Sequence, residues 1–284
     1  MNQQNVYHLM ADKMPEMSKS QKKIAEYILK NQHSAPFLTV EKLAKLAGVS
    51  QATVVRFAAF LGYTGYNELQ QFMYDSIEKQ LNTVERLKMS RSIHDDAESG
   101  IYDIFEDDIA NIRSTMENLK MEDFKMAADY LINAENIYIA ANRSAVSLGV
   151  FLQYYLEIIF GNVELVQSSE SAFERMYDLN ENDAVIGISF ARYTRSTIEI
   201  ISHAREKNAR IIAVTDGLLS PITRFADISL FAPSKMPSIL DSFVAPLSLI
   251  NTLINYIGKQ KVEDINERLE NLEQIWDQYD VFIK

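Results

Sequence analysis

The first part of the chain carries apolar residues at helical spacing. Ile24, Ile28 and Leu29 recur every three or four positions, so their side chains would lie on one face of a helix. Ser18 stands just before this stretch and Gln21 follows three residues later, a pattern typical of a helix N-terminus. The pattern predicts an amphipathic helix.

Two further helices are predicted directly after it. The second would begin after Thr39 and end at Gly48, and the third would begin after Ser50 and end at Gly62. Glycine readily adopts the left-handed backbone conformation that ends many helices. The apolar positions of these two helices are Val40, Leu43, Ala44, Leu46, Ala47, Val54, Val55, Phe57, Ala58 and Leu61.

Three positions make this helical pair a candidate DNA-binding element. Ala44 is small where two crossing helices would approach closely, Gly48 lies at the turn, and Val54 would point back into the angle between the helices. This spacing is typical of a helix-turn-helix. The alternative is a three-helix bundle that binds nothing, or one that docks another protein.

The outer face of the third helix carries side chains that suit DNA. Glutamine pairs with adenine, a small alanine fits a thymine methyl group, threonine suits several bases, and arginine suits guanine or phosphate. Lysines on the preceding helix stand where contacts to the DNA backbone would occur. The predicted DNA-binding residues are Ser50, Gln51, Ala52, Thr53, Arg56, Lys42 and Lys45.

The second half of the chain changes to an alternation of strands and helices. Short apolar runs rich in β-branched residues are followed by polar turns and longer apolar segments. Such alternation predicts a parallel sheet with helices on both faces. The predicted units are strand–turn–helix at 136–160, 183–209 and 210–226, strands at 163–168 and 227–233, and helices at 101–112, 122–133, 238–257 and 263–284.

Charge separates the two halves of the chain. The formal net charge is −11, yet residues 1–80 hold nine basic and seven acidic side chains. A nearly neutral N-terminal module can still present a basic face to DNA, whereas the acidic remainder would repel it. The predicted organisation is an all-α helix-turn-helix domain at 1–80, a polar linker at 81–100 and an α/β domain at 101–284.

Composition excludes several classes of site. The chain has no cysteine, so disulfides and thiolate metal sites are excluded. No segment approaches the roughly 20 apolar residues of a membrane span, and no secretory signal is visible at the N-terminus. We therefore expect a soluble, cytoplasmic protein that does not engage a membrane. No dinucleotide fingerprint, P-loop or metal-ligand cluster is present, so no cofactor or metal is expected.

Hydroxyl side chains stand in three predicted turns that follow strands. Ser144 lies in the first turn, Ser189 and Thr194 in the second, and Thr215 and Ser220 in the third. The carboxyl ends of parallel strands meet at one edge of the sheet, where helix N-termini offer N–H groups to an anion such as phosphate. The alternative is that these residues only cap helices, as serine and threonine do in many α/β domains.

Two parts of the chain resemble one known family. Residues 39–70 resemble the N-terminal domain of the RpiR family of bacterial transcription regulators, with shared motifs at 47–50, 52–57 and 61–66. Residues 120–260 look like the SIS (sugar isomerase) domain that those regulators carry. The resemblance implies a transcription regulator that senses a phosphosugar and dimerises through the larger domain. A homodimer, or a dimer of dimers, would bind a palindromic double-stranded operator.

The predicted effector site departs from the SIS pattern in two turns. Ala140 and Asn142 stand at glycines of the first turn, and Ala191 and Arg192 replace Ser-Gly in the second. These changes remove a hydroxyl ligand and limit close approach of the backbone, while Arg143 and Arg192 add partners for an anion. The predicted effector-binding residues are Asn142, Arg143, Ser144, Ser189, Arg192, Thr194, Thr215 and Ser220.

The larger domain leaves other functions open. A sugar-phosphate isomerase with a helical assembly domain would need a base, for which Glu170 and Glu174 in a predicted loop are the candidates. His203 is expected to face solvent. Arg192 could instead pair with one of those glutamates in a vestigial pocket, which would leave a DNA-bound regulator without a ligand. No catalytic residue is assigned, and a regulator is predicted rather than an enzyme.

Overall fold

The computed structural model describes residues 6–78, 84, 97–234 and 241–283. The chain divides into two compact units, an N-terminal unit of helices and a sheet unit that contains the strands. Most of the predicted linker lies outside the described residues, although its last positions, 97–100, are helical. The predicted domain boundaries stay a prediction. In the described part of the chain, no helix has the length and apolar content to cross a membrane.

Among its residues described up to Glu78, the N-terminal unit has five α-helices around one apolar core. The three helices predicted from the sequence are present, and two others extend the core on either side of them. The helices are α1 (Val6–Lys13), α2 (Lys19–Lys30), α3 (Val40–Ala47), α4 (Gln51–Leu61) and α5 (Tyr66–Glu78).

Hydroxyl groups cap the predicted helices of this unit. The side chains of Ser18, Thr39 and Ser50 each accept a hydrogen bond from the backbone N–H three residues later. Gly48 and Gly62 end α3 and α4 with φ of 65° and 102°, a region that disfavours other residues. The predicted starts and ends of α3 and α4 are therefore confirmed.

Helices α3 and α4 pack against each other at the small residue Ala44. Ala44 and Val54 are buried together in the core of the unit, as predicted. Two other apolar positions of these helices lie outside the core: Leu46 is 50% exposed and Val55 is 45% exposed. Each lies on the solvent side of its helix. Only some of the apolar residues of a short helix fall on its buried face.

The sheet unit is a five-stranded parallel sheet flanked by helices. The strand order is β2-β1-β3-β4-β5, and all neighbouring strands are parallel. In chain order the elements are α6 (Ala97–Asn118), of which the residues from Phe105 onward belong to this unit, α7 (Met121–Ile132), β1 (Ile137–Ala141), α8 (Val146–Ile159), β2 (Val163–Val166), α9 (Ser169–Arg175), β3 (Ala184–Ser189), α10 (Arg195–Glu206), β4 (Arg210–Thr215), β5 (Ile228–Phe231), α11 (Val244–Gln260) and α12 (Val262–Gln278).

Both faces of the sheet are covered. Alternate strand residues enter opposite cores, because successive side chains of a strand point to opposite faces. Ile139, Ile186 and Val214 pack with α7, α8 and α11, whereas Val185 and Ile211 pack with α9 and α10. This double burial explains the continuous apolar strands of the sequence, and it matches the predicted parallel sheet with helices on both faces.

Three sequence predictions about helices in this unit are wrong. The segment between β4 and β5 forms successive turns and no helix, because Gly217 and Pro221 interrupt it. Helix α11 begins at Val244, six residues later than predicted, and part of the earlier segment lies outside the described residues. The segment around Glu170 and Glu174 is the short helix α9 and not a loop.

The C-terminal helix packs on α8. The Arg268 guanidinium donates hydrogen bonds of 2.9 Å to the backbone carbonyls of Glu157 and Ile158. Ile265 is buried beside this contact, while Leu269 and Ile275 of the predicted apolar stripe stay partly exposed. The predicted amphipathic helix is present with its apolar face only partly covered, but it ends at Gln278, six residues before the predicted end.

Candidate DNA interface and effector crevice

The exposed face of α4 carries side chains predicted to read DNA. Gln51, Ala52 and Arg56 are exposed, whereas Val54 and Phe57 are fully buried. The first turn of α4 contains no acidic residue, so nothing within the helix opposes an approaching phosphate. Within the N-terminal unit, this face is therefore open to a polyanionic partner.

The two lysines predicted to contact the DNA backbone lie on α3. Lys45 is exposed and Lys42 is half-buried. Both belong to the helix that would cross the backbone in a helix-turn-helix complex. Contact between DNA and the seven predicted residues stays a prediction.

The hydroxyls of Ser50 and Thr53 are already engaged within the protein. Ser50 Oγ accepts a hydrogen bond of 3.3 Å from the Thr53 N–H and lies 2.8 Å from Thr53 Oγ1. Thr53 Oγ1 also accepts a bond of 3.5 Å from the Arg56 guanidinium. These hydroxyls therefore serve the start of α4 and position Arg56, which leaves them less suited to read bases.

The predicted effector site is the edge of the sheet that carries the turns after β1, β3 and β4, and we call this edge the crevice. It lies where the connections between successive strands change direction. Strand β1 has β2 on one side and β3 on the other, so the chain winds in opposite senses from this point. In open α/β sheets, ligands bind beyond the carboxyl ends of the strands at such a switch point. The turns after β1, β3 and β4, which hold the predicted effector residues, all begin at this edge.

Two arginines in this crevice have left-handed backbone conformations. Arg143 has φ of 55° after β1, and Arg192 has φ of 63° after β3. The left-handed region costs a non-glycine residue on the order of 1–2 kcal/mol, and such strain concentrates at functional sites. Arg192 stands at the glycine of the SIS pattern. The chain thus keeps the conformation that a glycine favours while adding an exposed guanidinium.

Helix α10 begins at the crevice without a side-chain cap. Thr194 has the extended backbone of an N-cap, yet its hydroxyl does not accept a hydrogen bond from the helix. No acidic residue lies in the first turn of α10. The first N–H groups of a helix have no partner inside the helix, so an uncapped N-terminus suits an anion.

The third turn contains a buried hydroxyl without a partner. Ser220 is only 3% exposed, and its Oγ has no hydrogen bond within the described part of the chain. A buried hydroxyl left in this state costs about 1–3 kcal/mol. A ligand oxygen would remove this cost, which makes Ser220 the strongest of the predicted hydroxyl ligands.

Thr215 is engaged within the protein, and its contact with an effector stays a prediction. It is fully buried, and its Oγ1 donates a hydrogen bond of 2.5 Å to the Ser189 carbonyl. The same Oγ1 lies 2.9 Å from Asp216 Oδ1. Because a hydroxyl has one proton, Thr215 has no further donor for a ligand. It joins the ends of β3 and β4 instead.

Tyr193 is a crevice residue that the sequence prediction did not name, whereas Asp216 was expected in the third turn without a role in effector binding. The Tyr193 hydroxyl lies 3.0 Å from both carboxylate oxygens of Asp216 and donates to them. Burial raises the pKa of Asp216 above its ordinary value, and the hydrogen bond with Thr215 opposes this shift. In the sequence, only the position of Tyr193 next to Thr194 in a polar turn indicated that it could lie in the crevice.

The remaining predicted effector residues differ in their burial and in their hydrogen bonds. Asn142 donates a hydrogen bond of 3.0 Å to Thr197 Oγ1 and so joins the turn after β1 to α10. Ser189 is buried at the end of β3, whereas Ser144 is exposed and its carbonyl accepts a bond from the Ser147 hydroxyl. Binding of an effector by these residues stays a prediction.

The two carboxylates considered for catalysis lie on a helix and not in the crevice turns. Glu170 and Glu174 are exposed on α9. The prediction for His203 is wrong: its ring is half-buried and its Nε2 is buried without a partner in the described residues. The ring centroids of His203 and Phe173 lie 4.9 Å apart, with the ring planes tilted by 60°. Helix α10 turns this position toward α9 and away from solvent.

Comparison with known proteins gives matches to both units. The family model described as a helix-turn-helix domain of the rpiR family matches residues 4–80, and the SIS domain model matches residues 130–256. An uncharacterized HTH-type transcriptional regulator of Caldanaerobacter subterraneus is 29% identical over 90% of this chain and 91% of its own length. The HTH-type transcriptional regulator HexR of Pseudomonas aeruginosa is 24% identical, covering 95% of each chain.

Solved structures share the fold. The sugar isomerase domain of an RpiR transcription factor from Sphaerobacter thermophilus superposes with a TM-score of 0.59 at 23% identity, covering 61% of this chain and 97% of that domain. The Vibrio vulnificus NanR protein, complexed with ManNAc-6P, has a TM-score of 0.57 at 18% identity and covers 97% of this chain and 99% of its own. The predicted fold class, a helical N-terminal domain followed by a SIS-like α/β domain, is confirmed.

Proposed function

The chain belongs to the rpiR family of helix-turn-helix transcriptional regulators, and we propose on this premise that α4 reads DNA while the crevice binds a sugar phosphate. Relatives that match across both units are named transcriptional regulators. The protein is therefore a regulator. The isomerase alternative is not favoured, because Glu170 and Glu174 are exposed on α9 and the relatives reported above are regulators.

The proposal for DNA binding rests on the exposed side of α4. Its N-terminus is firmly capped by Ser50, its first turn lacks acidic residues, and Gln51 and Arg56 project from it. Such a helix enters the major groove with its first residues toward the base edges. Lys42 and Lys45 would contact phosphates on the same side.

The proposal for a sugar phosphate rests above all on the buried, unpartnered hydroxyl of Ser220. The uncapped start of α10 and the exposed Arg143 and Arg192 occur at the same edge of the sheet and favour an anion. A sugar phosphate is the proposed class because NanR, which shares this fold, is complexed with ManNAc-6P.

A second copy of the chain is part of the proposal. Large apolar side chains on α6 and α8 stay exposed, among them Phe105 at 64% and Tyr154 at 56%. Apolar surface of this kind marks protein–protein contacts. We propose a homodimer, or a dimer of dimers, that places two copies of α4 on a palindromic operator. The regulator would act in the cytoplasm, where bacteria keep their chromosome.

The proposed mechanism is a population shift. A sugar phosphate that bound one arrangement of the sheet units more tightly than another would change the spacing of the two α4 helices. By linkage, DNA would change the affinity for the effector by the same factor. Typical coupling of this kind changes affinity by about 5- to 150-fold.

The experiment combines two measurements on the full chain. Thermal unfolding is followed against a panel of sugar phosphates, with inorganic phosphate and the parent sugars as controls, because a ligand of the folded state raises the melting temperature. DNA selected by the protein from a random pool is then titrated with and without the best ligand. Selection of no sequence contradicts the DNA proposal, and a panel without any shift contradicts the effector proposal.

A further inference from the structure

The exposed face of α4 is apolar in its middle and polar at its edges. With about 100° of rotation per residue, Val55, Ala59 and Ala52 lie between Gln51 on one side and Arg56 on the other. All five side chains are exposed. Val55 on this face is 45% exposed and is not among the residues of the core.

The polar groups that could compete for this central position are engaged elsewhere. The Ser50 and Thr53 hydroxyls lie 2.8 Å apart and complete the N-terminal cap of α4. Thr53 is also only half-exposed, at the margin of the face. The central surface that α4 offers to a major groove therefore consists of methyl groups.

Methyl groups have one matching partner on the base edges of the major groove. Among the four bases, only thymine presents a methyl group there, at C5, and alanine-sized or branched apolar side chains contact it favourably. Cytosine and adenine present amino donors, and guanine presents acceptors, which a methyl surface would desolvate without replacement.

We infer that Ala52 and Val55 select thymine by contact with its C5 methyl group, and that Gln51 and Arg56 bind the base pairs or phosphates on either side. This inference rests on the proposed DNA-reading role of α4. It adds a specificity-determining residue, Val55, and it predicts that each half of the preferred DNA site has thymine at fixed positions.

The test replaces thymine by deoxyuridine, which lacks only the methyl group. The full-length protein first selects a DNA sequence from a random pool, and each thymine of that sequence is then replaced singly. We expect at least one position per half-site where deoxyuridine weakens binding about fourfold, the value for one methyl group removed from water. In Val55→Ala, the penalty at one such position should fall below twofold.

The control is Leu46→Ala, which removes an equally exposed apolar side chain from α3. It should keep the full penalty at every sensitive thymine. Both positions are exposed, so each variant should stay folded, which thermal unfolding checks. If the protein selects no DNA, the proposed function fails. If it selects DNA but deoxyuridine has no effect anywhere, or if Val55→Ala keeps every penalty, the inference is overturned.

Discussion

The two units place the same residue types at helix starts, but they use them in opposite ways. In the N-terminal unit, Ser18, Thr39 and Ser50 all cap their helices with side-chain hydrogen bonds. In the sheet unit, Thr194 precedes α10 without such a bond. Ser220, which lies in a turn that leads into no helix, is buried with no hydrogen bond to its hydroxyl within the described residues. A capped helix start is complete, whereas an uncapped one retains donors for a ligand.

This difference means that the hydroxyl groups stabilise helices in the N-terminal unit and are available for ligand binding in the sheet unit. In α4 the hydroxyls hold the helix, so recognition is left to the exposed side chains of its outer face. In the crevice, the hydroxyls and helix N–H groups can themselves bind an anion, at a cost in the stability of the empty protein. Substitutions of the same chemical kind should therefore have different consequences in the two units.

The largest expected effect is on DNA binding by Arg56→Ala. Loss of one arginine contact to a base or phosphate should weaken DNA binding about 10- to 100-fold. Fluorescence anisotropy with the selected DNA measures this, and sugar-phosphate binding should stay unchanged in calorimetry. Arg113→Ala removes an exposed cation from α6 and is the control. Equal DNA affinity of Arg56→Ala and wild type would contradict the assignment of α4.

Ser220→Ala should separate binding from stability in the crevice. A hydrogen bond to a charged ligand group contributes about 1.5–3 kcal/mol, so calorimetry should show sugar-phosphate affinity reduced at least tenfold. The empty protein should be as stable as wild type or more so, because an unpartnered buried hydroxyl is removed. A variant that binds the sugar phosphate normally would show that Ser220 does not contact the ligand.

Ser50→Ala and Thr194→Ala compare a capping hydroxyl with one that does not cap. Ser50→Ala should lower the free energy of unfolding by about 1 kcal/mol, the usual value of an N-cap. Thr194→Ala should leave it within about 0.5 kcal/mol and should weaken anion binding instead. Urea denaturation of both variants measures this contrast. Equal losses of stability would remove the distinction drawn between the units.

Arg192 tests the left-handed turn. Glycine adopts φ of 63° without strain whereas alanine adopts it at a cost, so Arg192→Gly should be more stable than Arg192→Ala by roughly 0.5–1 kcal/mol. Both variants lack the guanidinium and should bind the anion more weakly than wild type by a similar factor. Thermal unfolding and calorimetry separate the two effects. If the glycine variant is the less stable one, this backbone conformation is not strained.

The smallest expected effect is a pH dependence from Asp216. Burial raises its folded pKa above the ordinary value of 3.8, so the folded chain keeps a proton that the unfolded chain has released. Stability from this group is present below pH 3.8 and is lost as pH rises through the folded pKa. Asp216→Asn should remove that loss, which is measured by urea denaturation across this pH range. Parallel profiles for both proteins would contradict the expected burial effect.

The sequence predicted the parts of the structure that depend on local patterns. Caps, glycine stops and the crossing of α3 and α4 follow from short-range rules, and those predictions are confirmed at Thr39, Gly48, Ser50 and Gly62. The parallel sheet followed from continuous apolar strands. The exposure of Val55 could not be predicted from the sequence. Adjacent valines in a helix point about 100° apart, and the sequence alone does not show which of the two is buried.

The crevice was less predictable because its geometry depends on distant strands. The sequence placed hydroxyls in three turns, but it did not show that Thr215 donates to Ser189 or that Tyr193 donates to Asp216. Those bonds join neighbouring strand ends that are more than 20 residues apart in the chain. Likewise, the strain at Arg192 becomes visible only from the backbone conformation.

One measurement tests the account most directly: titration of the selected DNA with wild type and Ser220→Ala, each with and without the sugar phosphate that gives the largest thermal shift. The account predicts that the ligand changes the DNA affinity of wild type at least fivefold and leaves that of Ser220→Ala unchanged at the same ligand concentration. No change in wild type, or an equal change in both proteins, would contradict it.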